Sequence, residues 1–338
     1  MSTCRGAARA PAVWLTRRLP PLQHEDAENI GWIIPTTVIH HFLSDVASNG
    51  SYTGFPSLGI EWQKMENPDL RKYSSMGANQ KGVLVRRVEP TCPASRKLKK
   101  ADIILEFDGH QISNDGTVPF RSGERISFSY LVSNLFVGDR ARLKVLRGGA
   151  VKSVTVELSK SRRLVPVHLK GAPPQYFIFA GLIFTQVCVP YLKSEYGKDY
   201  DYDAPVKLLD KMLHGMPAEE GEQVVVLAQV LAAEINLGYE EIVNTTVLAM
   251  NGEKVKSVGH LASLLESCEE KYVVLDLEYK STVVLDTAKA KAATEQILKT
   301  HCIPAQMSDG SGEGGDRPIG EHDAAGVRRM ARMAAMKD

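Results

Sequence analysis

The sequence predicts an α+β fold built from two similar modules in tandem, each a small antiparallel β barrel or sandwich capped by helices. Three observations predict it. The 338 residues are enough for two domains of ordinary size plus tails. Short β-rich runs alternate with turn signals on both sides of a Pro- and Gly-containing segment, residues 161–175. A nine-residue pattern occurs once on each side of that segment, at Ile104–Ile112 and at Val247–Val255.

Composition narrows the possible partners and cofactors. The formal net charge of +1 gives no general reason to expect nucleic acid or an anionic membrane as a partner. The five cysteines are scattered and odd in number, which fits neither a disulfide framework nor a zinc site, so no metal and no cofactor is expected. The longest apolar run, Tyr176–Leu192, is interrupted by polar residues and by Pro190. It is too short for a membrane-spanning helix, which needs ~20 residues.

The first module is expected to combine strands with one helix. Hydrophobic patterning and turn residues predict, in order, strands at Gly82–Val88 and Ala101–Phe107, a helix at Glu124–Leu135, and strands at Asp139–Leu146 and Val151–Leu158. Asp108-Gly109 and Gly148-Gly149 supply tight turns, because glycine accepts a positive φ at little cost. The first copy of the repeated pattern spans the turn at Asp108-Gly109.

The second module is expected to follow the same order of elements. The predicted strands and helix are Gln223–Val230, Thr246–Met250, Val258–Cys268 and Tyr272–Tyr279, with Asn251-Gly252 as the turn of the second copy. An amphipathic helix at Ala204–His214 has no counterpart in the first module. We expect it to have diverged, for instance to pack against a sister subunit.

The termini differ from the modules in composition. Asn29–Pro35 is predicted as a short strand and Thr36 as the start of a helix, on which the adjacent His40 and His41 are expected to face solvent. The predicted organisation is a disordered N-terminus at 1–28, a strand and helix at 29–50, a first module at 51–160, a linker at 161–175, a second module at 176–303 and a disordered tail at 304–338.

These elements resemble a known family. The order of strands, repeated pattern, helix and hairpin is similar to a PDZ domain of the Do-like (Deg/HtrA) serine proteases. The segment Y-T-G-F-P-S-L-G-I, residues 52–60, resembles the loop with which such domains bind a carboxylate, and E-N-I-G-W-I-I-P-T-T-V-I, residues 28–39, resembles the last strand and exit helix of the family's protease domain. The amino-acid sequences of residues 59–72, 114–126 and 239–245 resemble those of the plant group called protease Do-like 9.

The resemblance implies a peptide-binding groove in the first module and, in the second, a bulkier corresponding loop that is expected to bind peptides poorly. In the first, the groove would be lined by Phe55, Ser57, Leu58, Gly59, Ile60, Phe128 and Leu131. In the second, the corresponding loop would be Phe179, Ala180, Gly181 and Leu182. The implied ligands are protein C-termini or unfolded peptides, added as a strand to an exposed sheet edge. A homo-oligomer or assembly with sister Deg subunits is also implied.

The family's catalytic residues are not found in this sequence. The nucleophile of a Ser-His-Asp triad would lie in a G-N-S-G-G-P loop, and none occurs here. We therefore expect a peptide-binding and assembly region without catalytic residues. The alternatives are a serine endopeptidase, as the family implies, and a scaffold whose grooves are filled by internal segments. The resemblance favours the nucleus or nucleolus, with the chloroplast as the alternative.

Overall fold

The computed structural model describes residues 22–23, 31–32, 34–169 and 171–308. Ahead of the modules, β1 (Leu22–Gln23) pairs with β2 (Gly31–Trp32), and helix α1 spans Thr36–Asn49. The other residues of the predicted N-terminal disorder, and 309–338 of the predicted tail, lie outside the described part. The predicted strand at 29–35 is described only in part.

The first module is an antiparallel sheet with the strand order β11-β10-β6-β5-β4 and with β7 paired to β6. Its elements are β3 (Pro56–Ser57), β4 (Ile60–Lys64), α2 (Pro68–Tyr73), β5 (Val83–Val88), β6 (Ile103–Phe107), β7 (His110–Gln111), β8 (Thr117–Arg121), β9 (Glu124–Ser127), α3 (Ser129–Ser133), β10 (Arg140–Arg147), β11 (Ala150–Glu157) and β12 (Ser159–Lys160). Strand β10 shows why a sheet forms. Ala141, Leu143 and Val145 are buried while the residues between them are exposed, which is the period of two that a one-sided sheet requires.

The helix predicted at Glu124–Leu135 is wrong over its first half. Residues 124–127 form β9, which pairs with β8 in a hairpin whose turn contains Gly123 at φ 77°. The Ser122-Gly123 turn favours a hairpin, and Phe128 then donates its N–H to the Gly116 carbonyl rather than to a helical partner. Only Ser129–Ser133 is helical.

The second module repeats this strand order and adds one strand. Its sheet runs β13-β14-β15-β16-β18-β19, with β17 paired to β16. The elements are β13 (Tyr176–Phe179), β14 (Leu182–Gln186), α4 (Val189–Tyr196), α5 (Tyr200–Asp203), α6 (Val206–His214), β15 (Val225–Val230), β16 (Thr245–Met250), β17 (Glu253–Lys254), α7 (Val258–Ser267), β18 (Tyr272–Leu277), β19 (Thr282–Asp286) and α8 (Thr287–Thr300). Strands β14, β15, β16, β18 and β19 correspond in order to β4, β5, β6, β10 and β11.

The two repeated turns have the same geometry. Asp108-Gly109 has φ values of 44° and 82°, and Asn251-Gly252 has 48° and 81°. In each turn the first side chain accepts a backbone N–H from the neighbouring strand, at 2.7 Å from Arg142 and at 2.6 Å from Val274. Both glycines therefore occupy positions that strongly favour glycine.

Helices α4 to α6 form an insertion between β14 and β15 that has a core of its own. Leu192, Ala204 and Leu208 pack there against Val224 and Val226 of the sheet. The main core of the second module joins α7 and α8 to the sheet, so the sheet has helices on both faces. The predicted helix at 204–214 is present as α6, whereas α4 and α5 carried no recognised sequence signal.

Candidate peptide-binding groove

The first module has an open sheet edge at β4. Within the described residues β4 pairs only with β5, and the other side of β4 has no partner strand. Helix α3 packs near β3, just before β4 in the chain. A groove with a strand on one side and a helix on the other can accept an extended peptide as an additional strand.

The predicted carboxylate loop, residues 55–59, leads directly into this edge. Ser57 Oγ accepts the Gly59 N–H at 3.0 Å, and the buried Leu58 N–H donates to no atom of the described residues. Gly59 has φ 62°, and a Cβ there would lie 2.6 Å from Cys92 Sγ. Burial raises the pKa of the Cys92 thiol, which lies beneath the loop. The loop therefore presents backbone donors and has no room for a larger residue at 59.

The groove wall differs from the sequence prediction. Ile60 is half-buried at the start of β4, and Leu131 is half-buried on α3 against the core, so both lie beside the candidate groove. Phe128 was expected to line the pocket, but it is only 2% exposed and belongs to the core. It lies beneath Trp62 of β4, with 5.4 Å between the ring centroids. Phe128 therefore supports the groove from below.

Trp62 is the residue that the sequence prediction missed. It lies two positions after Ile60 on β4 and thus on the same face of the strand. A Cβ on Gly116 would lie 2.3 Å from the Trp62 ring, so this glycine makes room for the indole. From the sequence alone, the Asp-Gly pair at 115–116 predicts only a turn. Nothing in the local sequence links Gly116 to a tryptophan 54 positions earlier.

His41 joins helix α1 to both walls of the groove. The prediction that it faces solvent is wrong, although His40 is exposed as expected. The His41 ring stacks on Phe55 and on Phe136, each with 4.5 Å between ring centroids, and Nε2 lies 2.9 Å from the Leu135 carbonyl oxygen. Phe55 begins the loop and Leu135 follows α3. A single side chain therefore contacts both segments that bracket the groove.

Asp45 secures α1 one turn further on. The carboxylate is fully buried and accepts the Thr53 N–H at 2.6 Å and the Thr53 hydroxyl at 2.9 Å. Buried carboxylates need such partners, since an unpaired buried charge is strongly destabilising. Helix α1 is therefore fixed to the segment that precedes the loop, and Phe55, 38% exposed, is held between α1 and solvent.

The corresponding loop of the second module is closed by hydrogen bonds to most of its backbone polar groups. Phe179, Ala180, Gly181 and Leu182 are all buried and form the turn between β13 and β14. Thr294 Oγ1 accepts the Ala180 N–H at 2.9 Å, Asn236 Nδ2 donates to the Ala180 carbonyl at 2.7 Å, and Leu231 N donates to the Gly181 carbonyl at 2.7 Å. These four residues thus lie together as predicted, but in a closed turn.

Strand β13 occupies the place that a peptide would take in the second module. It pairs antiparallel with β14, the counterpart of β4, and it contacts α7 on the other side. The outer edge of β13 is covered in turn. Ile178 donates its N–H to the Gln306 carbonyl at 2.8 Å, and Ser308 donates to the Tyr176 carbonyl at 3.0 Å. Residues 306–308, expected in the disordered tail, therefore pack against the sheet.

Two further classes of site are not seen in the described residues. No group of three or more His, Cys, Asp or Glu residues there could hold a metal ion. No helix in the same ranges has the length and apolar character needed to cross a membrane.

Comparisons with known proteins agree with this architecture. PDZ-domain family models match residues 56–158 and 165–310. The chain is 45% identical over 284 residues to Protease Do-like 2, chloroplastic, and 39% identical over 279 residues to Protease Do-like 4, mitochondrial, both from Arabidopsis thaliana. These alignments cover 84% and 82% of this chain but 46% and 51% of the relatives, so the chain spans about half their length.

Among solved structures, the HtrA-type protease AlgW with decapeptide is similar at 24% identity, with a TM-score of 0.30 and coverage of 40% of this chain and 38% of that one. Fold and site together define a protein with two tandem PDZ domains. The identities to the plant relatives go further: the chain belongs to the Do-like (HtrA) protease family.

Proposed function

We propose that the first PDZ domain binds protein C-termini or unfolded peptides, and that the second domain serves assembly. The observation that carries the proposal is the difference between the two sheet edges. Among the residues that the structure describes, β4 is open beside a loop whose Leu58 N–H has no partner, whereas the edge of β14 is filled by β13.

Binding would proceed by β-augmentation. The peptide adds antiparallel to β4, and its terminal carboxylate meets the N–H of Leu58 and displaces the Ser57 hydroxyl from the Gly59 N–H. The last apolar side chain would pack against Ile60 and Leu131. A groove dominated by main-chain contacts typically gives micromolar affinity, roughly −8 kcal/mol.

The second domain supports a different role. Two of its exposed apolar side chains, Val206 at 79% and Leu213 at 65%, lie on the outer face of α6, seven residues apart. We propose that this helix contacts a sister subunit. The chain would then combine one peptide-binding domain with one domain that holds copies or sister Deg subunits together.

The test compares matched ligands and matched variants in the whole chain. Free-acid and amidated forms of one peptide with an apolar C-terminus are titrated by calorimetry, and only the free acid should bind with micromolar affinity. Ile60→Lys should weaken binding at least tenfold, because it places a charge where the ligand packs. Val151→Lys, an exposed apolar residue on the far edge strand β11, is the control and should bind normally. Equal binding of acid and amide would refute the carboxylate loop.

A serine endopeptidase is the second candidate, because the relatives named above are proteases. We propose that this chain itself lacks serine-protease activity, since no G-N-S-G-G-P loop occurs in it. Incubation with unfolded casein and a fluorophosphonate probe separates the candidates. Specific labelling of a serine would establish the enzyme.

The relatives also bear on location. The names of these relatives place one in the chloroplast and one in mitochondria, which favours the chloroplast alternative for this chain. Neither the relatives nor the structure supports a nuclear location. Likeness to the Do-like 9 group in particular remains a proposal. Fluorescent fusions of the full reading frame, imaged with organelle markers, would decide between chloroplast and nucleus.

A further inference from the structure

The β8–β9 hairpin stands at one end of the proposed groove. Its base touches the end of β4, because Met65 donates its N–H to the Asn114 carbonyl at 2.7 Å and the Trp62 ring lies over Gly116. This is the end opposite the carboxylate loop, since the loop precedes β4 and the hairpin contacts its last residues. The hairpin is therefore placed to meet residues upstream in a bound peptide.

Three side chains form a cluster between the hairpin and the groove helix. Phe120 of β8 is 39% exposed and lies edge-on to Tyr130 of α3, with 5.2 Å between the ring centroids. The Arg121 guanidinium carbon lies 4.9 Å from the centroid of the Phe120 ring. The aromatic ring thus favours one position of the cation, as cation–π contacts do.

Arg121 is an available cation in this region. It forms no ion pair within the described residues, although Glu124 lies opposite it across the turn. Arg125 is committed by contrast: its guanidinium donates to Thr117 Oγ1 at 2.7 Å and to Ser113 Oγ at 2.6 Å. Glu61 on β4 is paired with Arg87. Within the described ranges, the guanidinium of the hairpin without an ion-pair or hydrogen-bond partner is therefore that of Arg121.

The direction of the ligand connects this cluster to the groove. A peptide antiparallel to β4 has its C-terminus at the loop and extends toward the hairpin. Since β4 has five residues and a strand rises about 3.3 Å per residue, the fifth or sixth ligand residue from the C-terminus reaches the hairpin. We infer that Phe120, Tyr130 and Arg121 form an extended subsite that selects an acidic side chain at this upstream position. The inference presupposes the proposed peptide-binding function.

The experiment uses the whole chain and ten-residue free-acid peptides that differ only at the fifth position from the C-terminus. Glu, Gln and Lys are compared there, together with a tripeptide too short to reach the hairpin. At low salt the Glu peptide should bind about three- to tenfold tighter than the Gln peptide, with Lys weakest, and added salt should reduce the difference. The tripeptide reports on the groove alone.

Variants then assign the preference to Arg121. Arg121→Gln should abolish the preference for Glu, and Arg121→Glu should invert it, while tripeptide binding stays unchanged in both. Lys152→Glu, with the same charge change on the far edge strand β11, should leave the preference intact. Phe120→Ala should reduce the preference without inverting it. Equal binding of all three long peptides, with the tripeptide still bound, would overturn the subsite alone, whereas failure of the tripeptide and all long peptides to bind would overturn the proposed function.

Discussion

The two PDZ domains share a strand order and differ in what occupies the groove. In the first, β4 ends the sheet, while in the second the homologous strand β14 is followed outward by β13 and then by residues 306–308. The loops differ accordingly. Within the described residues the Leu58 N–H has no partner, whereas the Ala180 N–H and the carbonyls of Ala180 and Gly181 are bound by Thr294, Asn236 and Leu231. Two domains with the same strand order thus differ at this edge, because β4 has no outer partner strand among the described residues and β14 is paired with β13.

The groove of the second domain is closed because β13, which fills it, belongs to the same chain and therefore has a high effective concentration. β13 is joined to β14 by a two-residue turn, so it competes with any external peptide as an intramolecular ligand at millimolar concentration or above. Phe177 and Phe179 are also buried in the core, and full burial of each side chain contributes about 1.5–3 kcal/mol. A micromolar peptide cannot displace such a strand. The difference between the domains therefore follows from connectivity as much as from loop residues.

The largest expected effect comes from Asn236, which holds the closed turn in place. Its fully buried amide donates to the carbonyls of Ala180 and Leu231 and accepts the Ala233 N–H at 2.9 Å. Asn236→Ala leaves these buried groups unpaired and should destabilise the second domain by about 2–4 kcal/mol. Urea unfolding followed by circular dichroism measures the loss.

The tryptophans make this measurement specific to one domain. They are Trp14, Trp32 and Trp62, so none lies in the second domain. The Trp fluorescence transition should stay in place for Asn236→Ala while the dichroism transition moves to lower urea. Asn134→Ala, exposed after α3, is the control and should change stability by less than ~0.5 kcal/mol. An unchanged dichroism transition would show that the turn does not depend on this amide.

The two loop glycines give the next contrast. A Cβ on Gly59 would overlap Cys92 Sγ, and a Cβ on Gly181 would lie 2.5 Å from Asn236 Nδ2 and 2.6 Å from the Leu231 carbonyl oxygen. Each Ala variant should lose about 1–3 kcal/mol of stability. Only Gly59→Ala should also weaken free-acid peptide binding, by at least tenfold, as measured by calorimetry.

Gly138→Ala is the control that separates the effect of backbone strain from the effect of steric overlap by the added Cβ. Gly138 has φ 93° but open space around its Cα, so the variant carries the strain of a positive φ alone. It should bind peptide normally. If Gly181→Ala weakened peptide binding as much as Gly59→Ala, the assignment of binding to the first domain would be wrong.

The sequence predicted what is local and missed what depends on distant contacts. Asp108-Gly109 and Asn251-Gly252 correctly predicted turns, because Asp, Asn and Gly are the residue types that most often adopt a positive φ. The β13–β14 turn was not recognised as a closed hairpin, since Ala180 at φ 49° is an unusual residue for such a turn. The apolar run that contains it was assigned to a bulky loop rather than to a hairpin.

His41 illustrates the same limit. Helical spacing shows that His40 and His41 point about 100° apart, but not which of them is buried. That choice is made by Phe55 and Phe136, 14 and 95 positions away in the chain. The predicted groove residues at 55–60 could be proposed together because they are contiguous in the chain. Phe128 and Trp62 required knowledge of how β4 packs on the core.

A smaller effect tests whether α1 supports the open groove. His41→Ala removes both ring contacts and the bond to the Leu135 carbonyl, and it should weaken peptide binding three- to tenfold with a stability loss of about 1–2 kcal/mol. His41→Phe keeps an aromatic ring but not the hydrogen bond, so it should recover part of the affinity. The neighbouring exposed His40→Ala is the control, with unchanged binding expected. Identical titrations of all three variants would mean that α1 does not position the groove.

The smallest effect concerns the insertion that only the second domain has. Glu278, before the turn to β19, accepts hydrogen bonds from Lys207 at 2.6 Å and from Lys211 at 2.9 Å, both on α6. The Lys207 bond, followed by that of Lys211, holds the pKa of Glu278 below its ordinary value, against the opposing effect of burial. Because the pKa is lower in the folded state, the stabilisation is present above the unfolded pKa and is lost as the pH falls through the folded one. Glu278→Gln should therefore cost about 0.5–1 kcal/mol at pH 7, and this cost should shrink as the pH falls through the folded-state pKa of Glu278. Paired urea titrations of wild type and variant at pH 7, 5 and 3 measure the difference.

Glu295→Gln, which removes an exposed pair with Lys299 on α8, serves as the control and should show a smaller difference at pH 7. A Glu278 difference that did not decrease between pH 7 and pH 3 would show that the carboxylate does not anchor the insertion by its charge.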